Sequence, residues 1–328
     1  MLTDIEISDF RGFGNVKLKG LGLVNLIVGK NNAGKTSLLE AVAAATNSHS
    51  FSGLPDLFRA AQNKARSQAD LNRSYQWLVR DGAVESKAKI WAQDERGDWE
   101  VIIQLERNSQ NLGQMWGHSF PGYHGQSSFP GGKAAMIRRM PTFRLRSVSV
   151  QHQTPEDLVE AFAEAVRPPE GEAQMEALLH EVDDRVRTVR LDYAQGSQPF
   201  IVVDIGLSQR VPLPQAGQGI YRLVAIFSEL LGQRPQICFI DEIENGIHYT
   251  VLPQVWKGIA EVAERLGVQV FATTHSGECL AAAHKAFSSR KNYDLRVIQL
   301  YRKNNMTDGR VLDRKLIESG LEGNIDLR

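Results

Sequence analysis

Cysteine is almost missing from this chain of 328 residues, which contains only Cys238 and Cys279. Two cysteines cannot build a disulfide framework, and each falls in an otherwise apolar stretch, so both read as small core residues kept reduced. Net charge is missing as well, because 38 basic and 38 acidic residues cancel. No overall field then draws the molecule to nucleic acid or to an anionic membrane, and any such surface has to be local. No apolar run approaches the ~20 residues of a membrane span, and nothing like a signal peptide precedes Asp4, so the expectation is a cytoplasmic protein without membrane contact. Sustained heptads are absent, which excludes a long coiled-coil arm, and no internal repeat is visible. What remains, 42% hydrophobic and 23% charged, is the composition of an ordinary globular protein with room for a sizeable core.

One dense motif stands out. Residues 22–46 read GLVNLIVGKNNAGKTSLLEAVAAAT, an apolar strand, a polar loop and an apolar helix. The loop Gly29-Lys30-Asn31-Asn32-Ala33-Gly34-Lys35-Thr36 matches G-x-x-x-x-G-K-[ST], a pattern whose glycines let backbone N–H groups converge on phosphate oxygens. The helix after Gly34 aims its positive dipole end at the same point, so the loop and Ser37 behind it form an anion cradle. Lys35 is then expected to reach the β- and γ-phosphates of a nucleoside triphosphate and Thr36 to hold Mg²⁺.

Two further strands end in polar residues. Ile237 to Ile240 is apolar and is followed by Asp241-Glu242, where an α/β sheet places its ligand chemistry. Asp241 is expected to bind Mg²⁺ and Glu242 to polarise the attacking water, with Glu244 a competitor that nothing local ranks. Val268 to Thr273 is buried and leads to Thr274-His275-Ser276, from which His275 can report the γ-phosphate or remain an ordinary strand-end histidine. Between the loop and these strands, Pro214 to Arg222 is Gly-rich and opens a helix running to Leu231. A second anion cradle is surplus to one nucleotide, so Gly217, Gln218 and Gly219 are expected to cap a nucleotide held by a second copy, or else to be a plain helix start.

The remaining stretches are assigned by pattern. Strand and helix alternate through the C-terminal half, as a mostly parallel α/β sheet requires. Residues 1–50 and 200–328 form the expected nucleotide-binding core, 51–150 a peripheral β lobe, and 151–199 a helical hairpin with its connector. Within the lobe, Lys89 to Ala92 and Trp99 to Leu105 alternate as an antiparallel pair around Arg96-Gly97-Asp98. Residues 108–132, rich in Gly, Ser, Asn and Gln, read as a long mobile loop. Lys133, Arg138, Arg139, Arg144 and Arg146 follow in a stretch without acids, either a nucleic-acid contact through phosphates or a solvated surface.

The order of phosphate loop, Gly-rich signature, strand-Asp-Glu and strand-Thr-His resembles the ABC-type ATPases of the SMC, RecF and OLD group, often labelled AAA family ATPases. Ile7-Ser8-Asp9-Phe10-Arg11-Gly12-Phe13 looks like that group's opening strand and turn, and Asp241 to His248 like its Walker B and following loop. Within the group the chain is most similar to short bacterial antiphage-defence ATPases without a fused TOPRIM nuclease, over residues 1–50 and everything after about Phe200. The resemblance implies an ABC-type head in which Arg11 joins the nucleotide-binding set, Glu242 rather than Glu244 is the base, and ATP is sandwiched in a homodimer. The family's signature serine falls at Gln215 here. An ATPase that gates a separate nuclease or other effector follows as the expected function, with a RecF-like ATP-dependent DNA clamp as the alternative.

Overall fold

The computed structural model of the chain describes residues 1–46, 77–82, 86–108, 111–120, 123–129, 143–148, 154–193, 198–232, 235–323 and 325–327, and of 104–129 the backbone alone. The first sheet begins with β1 (Leu2–Ser8) and β2 (Asn15–Lys19) and continues through β4 (Lys87–Asp94), β5 (Gly97–Asn108), β6 (Asn111–Phe120) and β7 (Tyr123–Phe129), in the order β2-β1-β4-β5-β6-β7. The second sheet has the order β15-β14-β3-β13-β12-β8, from β3 (Val24–Val28), β8 (Leu145–Val148), β12 (Ile237–Ile240), β13 (Gln269–Thr274), β14 (Leu295–Lys303) and β15 (Met306–Leu312). All its pairings are parallel except that of the edge strand β15 with β14. A small antiparallel sheet joins β9 (Thr188–Asp192), β10 (Phe200–Asp204) and β11 (Val211–Pro212).

The mostly parallel sheet is buried on both faces, and its strands alternate between two cores. Val24, Leu26 and Val28 of β3 and Cys238 and Ile240 of β12 enter one core, while Ile27, Ile237 and Phe239 enter the other. The second core is closed by α1 (Lys35–Thr46) and the antiparallel sheet. Sandwiched this way, α1 is buried from Ser37 to Thr46, which explains its run of alanine and leucine without a polar face. Trp99 donates from its indole nitrogen to the Ala45 carbonyl at 2.7 Å, tying β5 to the end of this helix. The first core is covered by α2 (Pro155–Val166), α3 (Gly171–Val182), α4 (Gln218–Leu231), α5 (Leu252–Leu266), α6 (Gly277–Ser288) and α7 (Arg314–Glu322). Both cysteines are free and buried among these side chains, and burial pushes the Cys279 thiol up to about 12.

Three expectations about the lobe change. Its strands β4 to β7 extend the sheet begun by β1 and β2, so residue 50 is no boundary in the sheet. The segment read as a mobile loop over 108–132 runs as two antiparallel strands, β6 pairing β5 and β7 through residue 129. Its Gly, Ser and Asn content marks tight hairpins as much as loose coil, and ladder pairing satisfies its backbone all the same. Residues 145–148 belong to the parallel sheet, beside β12, so Arg146 cannot serve a free basic patch. Its guanidinium donates to Glu164 of α2 at 2.6 Å and lies 3.8 Å from Glu229 of α4. Lys133, Arg138 and Arg139 lie outside the described residues, and Arg144 is exposed.

Burial raises the Glu229 carboxyl from its ordinary value to about 7, against the lowering effect of Arg146. A carboxyl raised on folding contributes stability that is complete below about pH 4.3 and is lost as pH rises through about 7. Glu229→Gln should therefore remove a pH-dependent loss of up to about 3 kcal/mol between pH 5 and pH 8. Urea midpoints at the two pH values check this, and equal slopes in both proteins would contradict it.

Candidate nucleotide-binding site

β3, β13 and β12 lie side by side with Leu26, Ala272 and Ile240 in line. The residues that follow their carboxyl ends, Gly29, His275 and Asp241, therefore emerge along one edge of the sheet, where α/β folds collect ligand chemistry. This register is what brings together three motifs spread over more than two hundred residues of sequence.

The Gly29–Thr36 loop is packed against its support on the outside. A Cβ on Gly29 would sit 2.8 Å from the Leu300 carbonyl oxygen of β14, and one on Gly34, whose φ is +94°, would sit 3.2 Å from Thr307 Oγ1 of β15. Glycine at both positions is thus a matter of space as well as of conformation. Asn32 takes a left-handed φ of 63°, which asparagine tolerates better than most residues. Lys35 Nζ donates to the Gly29 carbonyl at 2.8 Å and to the Lys30 carbonyl at 3.3 Å, so the ammonium folds back over the loop. Burial lowers its pKa, opposed by the charges of Glu244, Glu242 and Asp241. These three carboxylates and Lys35 therefore share one electrostatic neighbourhood.

Around the carboxylates the backbone is held from both sides. Thr273 Oγ1 donates to Asp241 Oδ1 at 2.6 Å and accepts the Glu242 N–H at 2.8 Å. Arg222 of α4 donates to the Asp241 carbonyl at 2.5 Å and to the Glu242 carbonyl at 3.3 Å. Between these grips Glu242 adopts φ 47°, a conformation rare for a residue with a side chain and maintained only where neighbours enforce it. Arg222 is itself buried, and desolvation lowers its guanidinium to about 10 despite the nearby Asp241 and Glu242. Thr273 and Arg222 were not anticipated. The first hides inside an apolar strand, and the second inside a helix with an otherwise apolar face.

Glu244 lies beside His275. Its Oε1 accepts the His275 backbone N–H at 3.0 Å and stands 3.2 Å from the ring Nδ1, while its Oε2 is buried without a hydrogen-bond partner. The imidazole itself is half exposed. Glu244 thus orients the histidine, a task distinct from that expected of Glu242. Arg11 is committed differently from its expected place in the nucleotide set. Its guanidinium makes two contacts, at 2.8 and 2.9 Å, to the carboxylate of Glu40 in α1, whose side chain is almost fully buried. A buried pair of this kind ties the turn after β1 to the helix that follows the loop.

The Gly-rich signature stands apart. Gln215, Gly217 and Gln218 are exposed at the N-terminus of α4. Gly217 and Gly219 line a cavity of about 560 Å³ with Asp183, Arg185, Gly246 and His248, and no residue of the Gly29–Thr36 loop reaches it.

Residues 124–280 match the family described as "AAA domain, putative AbiEii toxin, Type IV TA system", and residues 4–115 match one described as "AAA domain". A solved SMC head bound to the C-winged helix domain of ScpA superposes with a TM-score of 0.57 at 13% identity, covering 95% of this chain and 97% of that one. A second, the Smc head with an extended coiled coil from Pyrococcus furiosus, gives 0.57 at 11% identity over 98% of this chain and 99% of that one. The chain thus matches AAA-domain families over these two segments and shares the fold of solved SMC heads. A protein of Helicobacter pylori named ATP/GTP phosphatase is 22% identical over 325 residues, 85% of this chain and 86% of that protein. The DNA replication and repair protein RecF of Lactobacillus gasseri is 31% identical over 116 residues, 35% of this chain and 29% of that protein. Among the described residues no helix is long and apolar enough to cross a membrane.

Proposed function

We propose that the chain binds and hydrolyses ATP with Mg²⁺, that two copies sandwich the nucleotide, and that this cycle gates a separate effector. The observation that carries the reading is the separation just described. The N-terminus of α4 is exposed and opens on a cavity to which the protein's own phosphate loop contributes nothing. A helix N-terminus of this kind offers N–H donors and a positive dipole end to a phosphate brought by a partner.

The residues present fit a nucleotide. The loop has no room for side chains at Gly29 and Gly34, an ammonium folded over its carbonyls, and three carboxylates within electrostatic reach. Lys35 would exchange the Gly29 and Lys30 carbonyls for phosphate oxygens. Thr36 and Asp241 would hold Mg²⁺, which neutralises phosphate charge when bound. Glu242, fixed at φ 47°, would orient the attacking water and take its proton. His275, braced by Glu244, would sense whether a γ-phosphate is present. In the partner, Gly217, Gln218 and Gly219 would close over the same phosphates, with Gln215 where the family serine stands.

The effector is proposed as a nuclease or comparable enzyme acting in antiphage defence or DNA processing, on the resemblance and on the toxin wording of one matched family. A RecF-like clamp is the weaker reading, because Arg146 is withdrawn from the basic stretch by Glu164 and Glu229. The test is the oligomeric state of Glu242→Gln by size-exclusion chromatography with light scattering. With ATP and Mg²⁺ it should run as a dimer and without ATP as a monomer, and a mass indifferent to ATP would overturn the sandwich.

A further inference from the structure

We infer that Thr307, on the edge strand β15, is a positioning residue that sets the phosphate loop for ATP, an inference that rests on the ATP-binding reading above. Thr307 is 4% exposed and grips the loop and the opening turn of the chain together. Its Oγ1 donates to the Ala33 carbonyl at 3.2 Å, and its N–H donates to the Gly12 carbonyl at 2.9 Å. It also forms a parallel bridge with Phe13, whose ring lies 3.6 Å from where a Gly34 Cβ would be.

The consequence follows from the planarity of the peptide unit. The carbonyl of Ala33 and the N–H of Gly34 share one plane and point in opposite directions. Holding that carbonyl on Thr307 turns the Gly34 N–H away from β15. Without the hydroxyl, the Ala33–Gly34 peptide is free to rotate, since the φ of 94° at Gly34 is one among many that glycine can take. The Thr307 Oγ1 and Cγ2 atoms lie 3.2 and 3.4 Å from where a Gly34 Cβ would be, so a side chain at Gly34 would press on the same threonine. Leu300 of β14 supports the other end of the loop, its carbonyl lying where a Gly29 side chain would be. The β14–β15 hairpin thus acts as a backing plate, with Thr307 its one hydrogen bond from a side chain to the loop among the described contacts.

The test compares Thr307→Val, which keeps the shape and removes the hydroxyl, with Thr307→Ser, which keeps the hydroxyl. Binding of a fluorescent ATP analogue is titrated with Mg²⁺, and thermal unfolding is followed without nucleotide. Thr307→Val should weaken binding about three- to tenfold, the range set by one hydrogen bond that orders a ligand-binding peptide. Thr307→Ser should bind within about twofold of the wild-type protein, and the melting temperature of the valine variant without nucleotide should not account for the loss. Wild-type affinity in the valine variant, or equal weakening in both variants, would overturn the role of the hydroxyl. Lys35→Ala separates the two levels. If that variant also binds as wild type, the ATP site itself is misplaced, whereas loss there with no effect at Thr307 rejects the positioning role alone.

Discussion

Lys35→Ala is expected to weaken ATP binding by at least about a hundredfold while leaving the free protein folded. The ammonium is the one cation of the phosphate loop's helix start, and charge-assisted contacts to phosphate are worth about twice a neutral hydrogen bond each. Loss of two such contacts reaches that factor. Stability should not fall with it. Among the described residues Lys35 donates to the Gly29 and Lys30 carbonyls alone, and burial already lowers its pKa, which marks the charged form as disfavoured there. Isothermal titration with ATP and Mg²⁺, together with a thermal melt, reads both effects. A variant that bound ATP normally would contradict the assignment of the loop, and one that failed to fold would contradict the account of Lys35 as desolvated rather than supporting.

Glu242→Gln should lower steady-state phosphate release by about a hundred- to a thousandfold, the usual share of a positioned general base, with ATP affinity retained. Removing one negative charge beside the triphosphate favours binding, so the ATP-bound state accumulates. Glu244→Gln separates the two acids. Its carboxylate faces the backbone N–H and Nδ1 of His275 and carries an oxygen buried without a partner, so its loss should disturb the orientation of the histidine and cost less turnover than Glu242→Gln. Equal losses at the two positions would remove the distinction that the structure draws between them.

Much of this site was legible in the residues. The phosphate loop has a fixed local chemistry, with glycine spacing, lysine and threonine between a strand and a helix, and its place in the fold follows from that neighbourhood alone. The carboxylate and histidine motifs were legible because buried parallel strands are continuous apolar runs, and the polar residues that end each run mark the sheet's ligand edge. What could not be read were contacts between segments far apart in sequence. Thr273 holds Asp241 from within an apolar strand, Arg222 holds the Glu242 turn from inside the signature helix, and Thr307 holds the loop from a strand that no motif announces. Arg11 was expected at the nucleotide, and its pair with Glu40 was hidden because Glu40 is the single acid in the middle of an apolar helix, and nothing local shows which distant cation meets it. The mobile loop expected over 108–132 failed for a related reason. Antiparallel hairpins rich in glycine and serine share their composition with loops, and only the register of β5, β6 and β7 separates the two.

The most direct measurement of a composite site mixes two inactive variants. Lys35→Ala removes the cation at the phosphate loop's helix start, and Gln218→Glu places a negative charge at the exposed start of α4, where it favours the helix dipole yet repels a partner's phosphates. Each variant alone should release little phosphate. In a mixed dimer one site combines the intact loop of the second variant with the intact signature of the first. Phosphate release by an equimolar mixture should therefore exceed the sum of the separate rates and rise toward about a quarter of the wild-type value, since half of randomly formed dimers are mixed and hold one intact site of two. A mixture no faster than that sum would contradict the claim that two copies share each nucleotide.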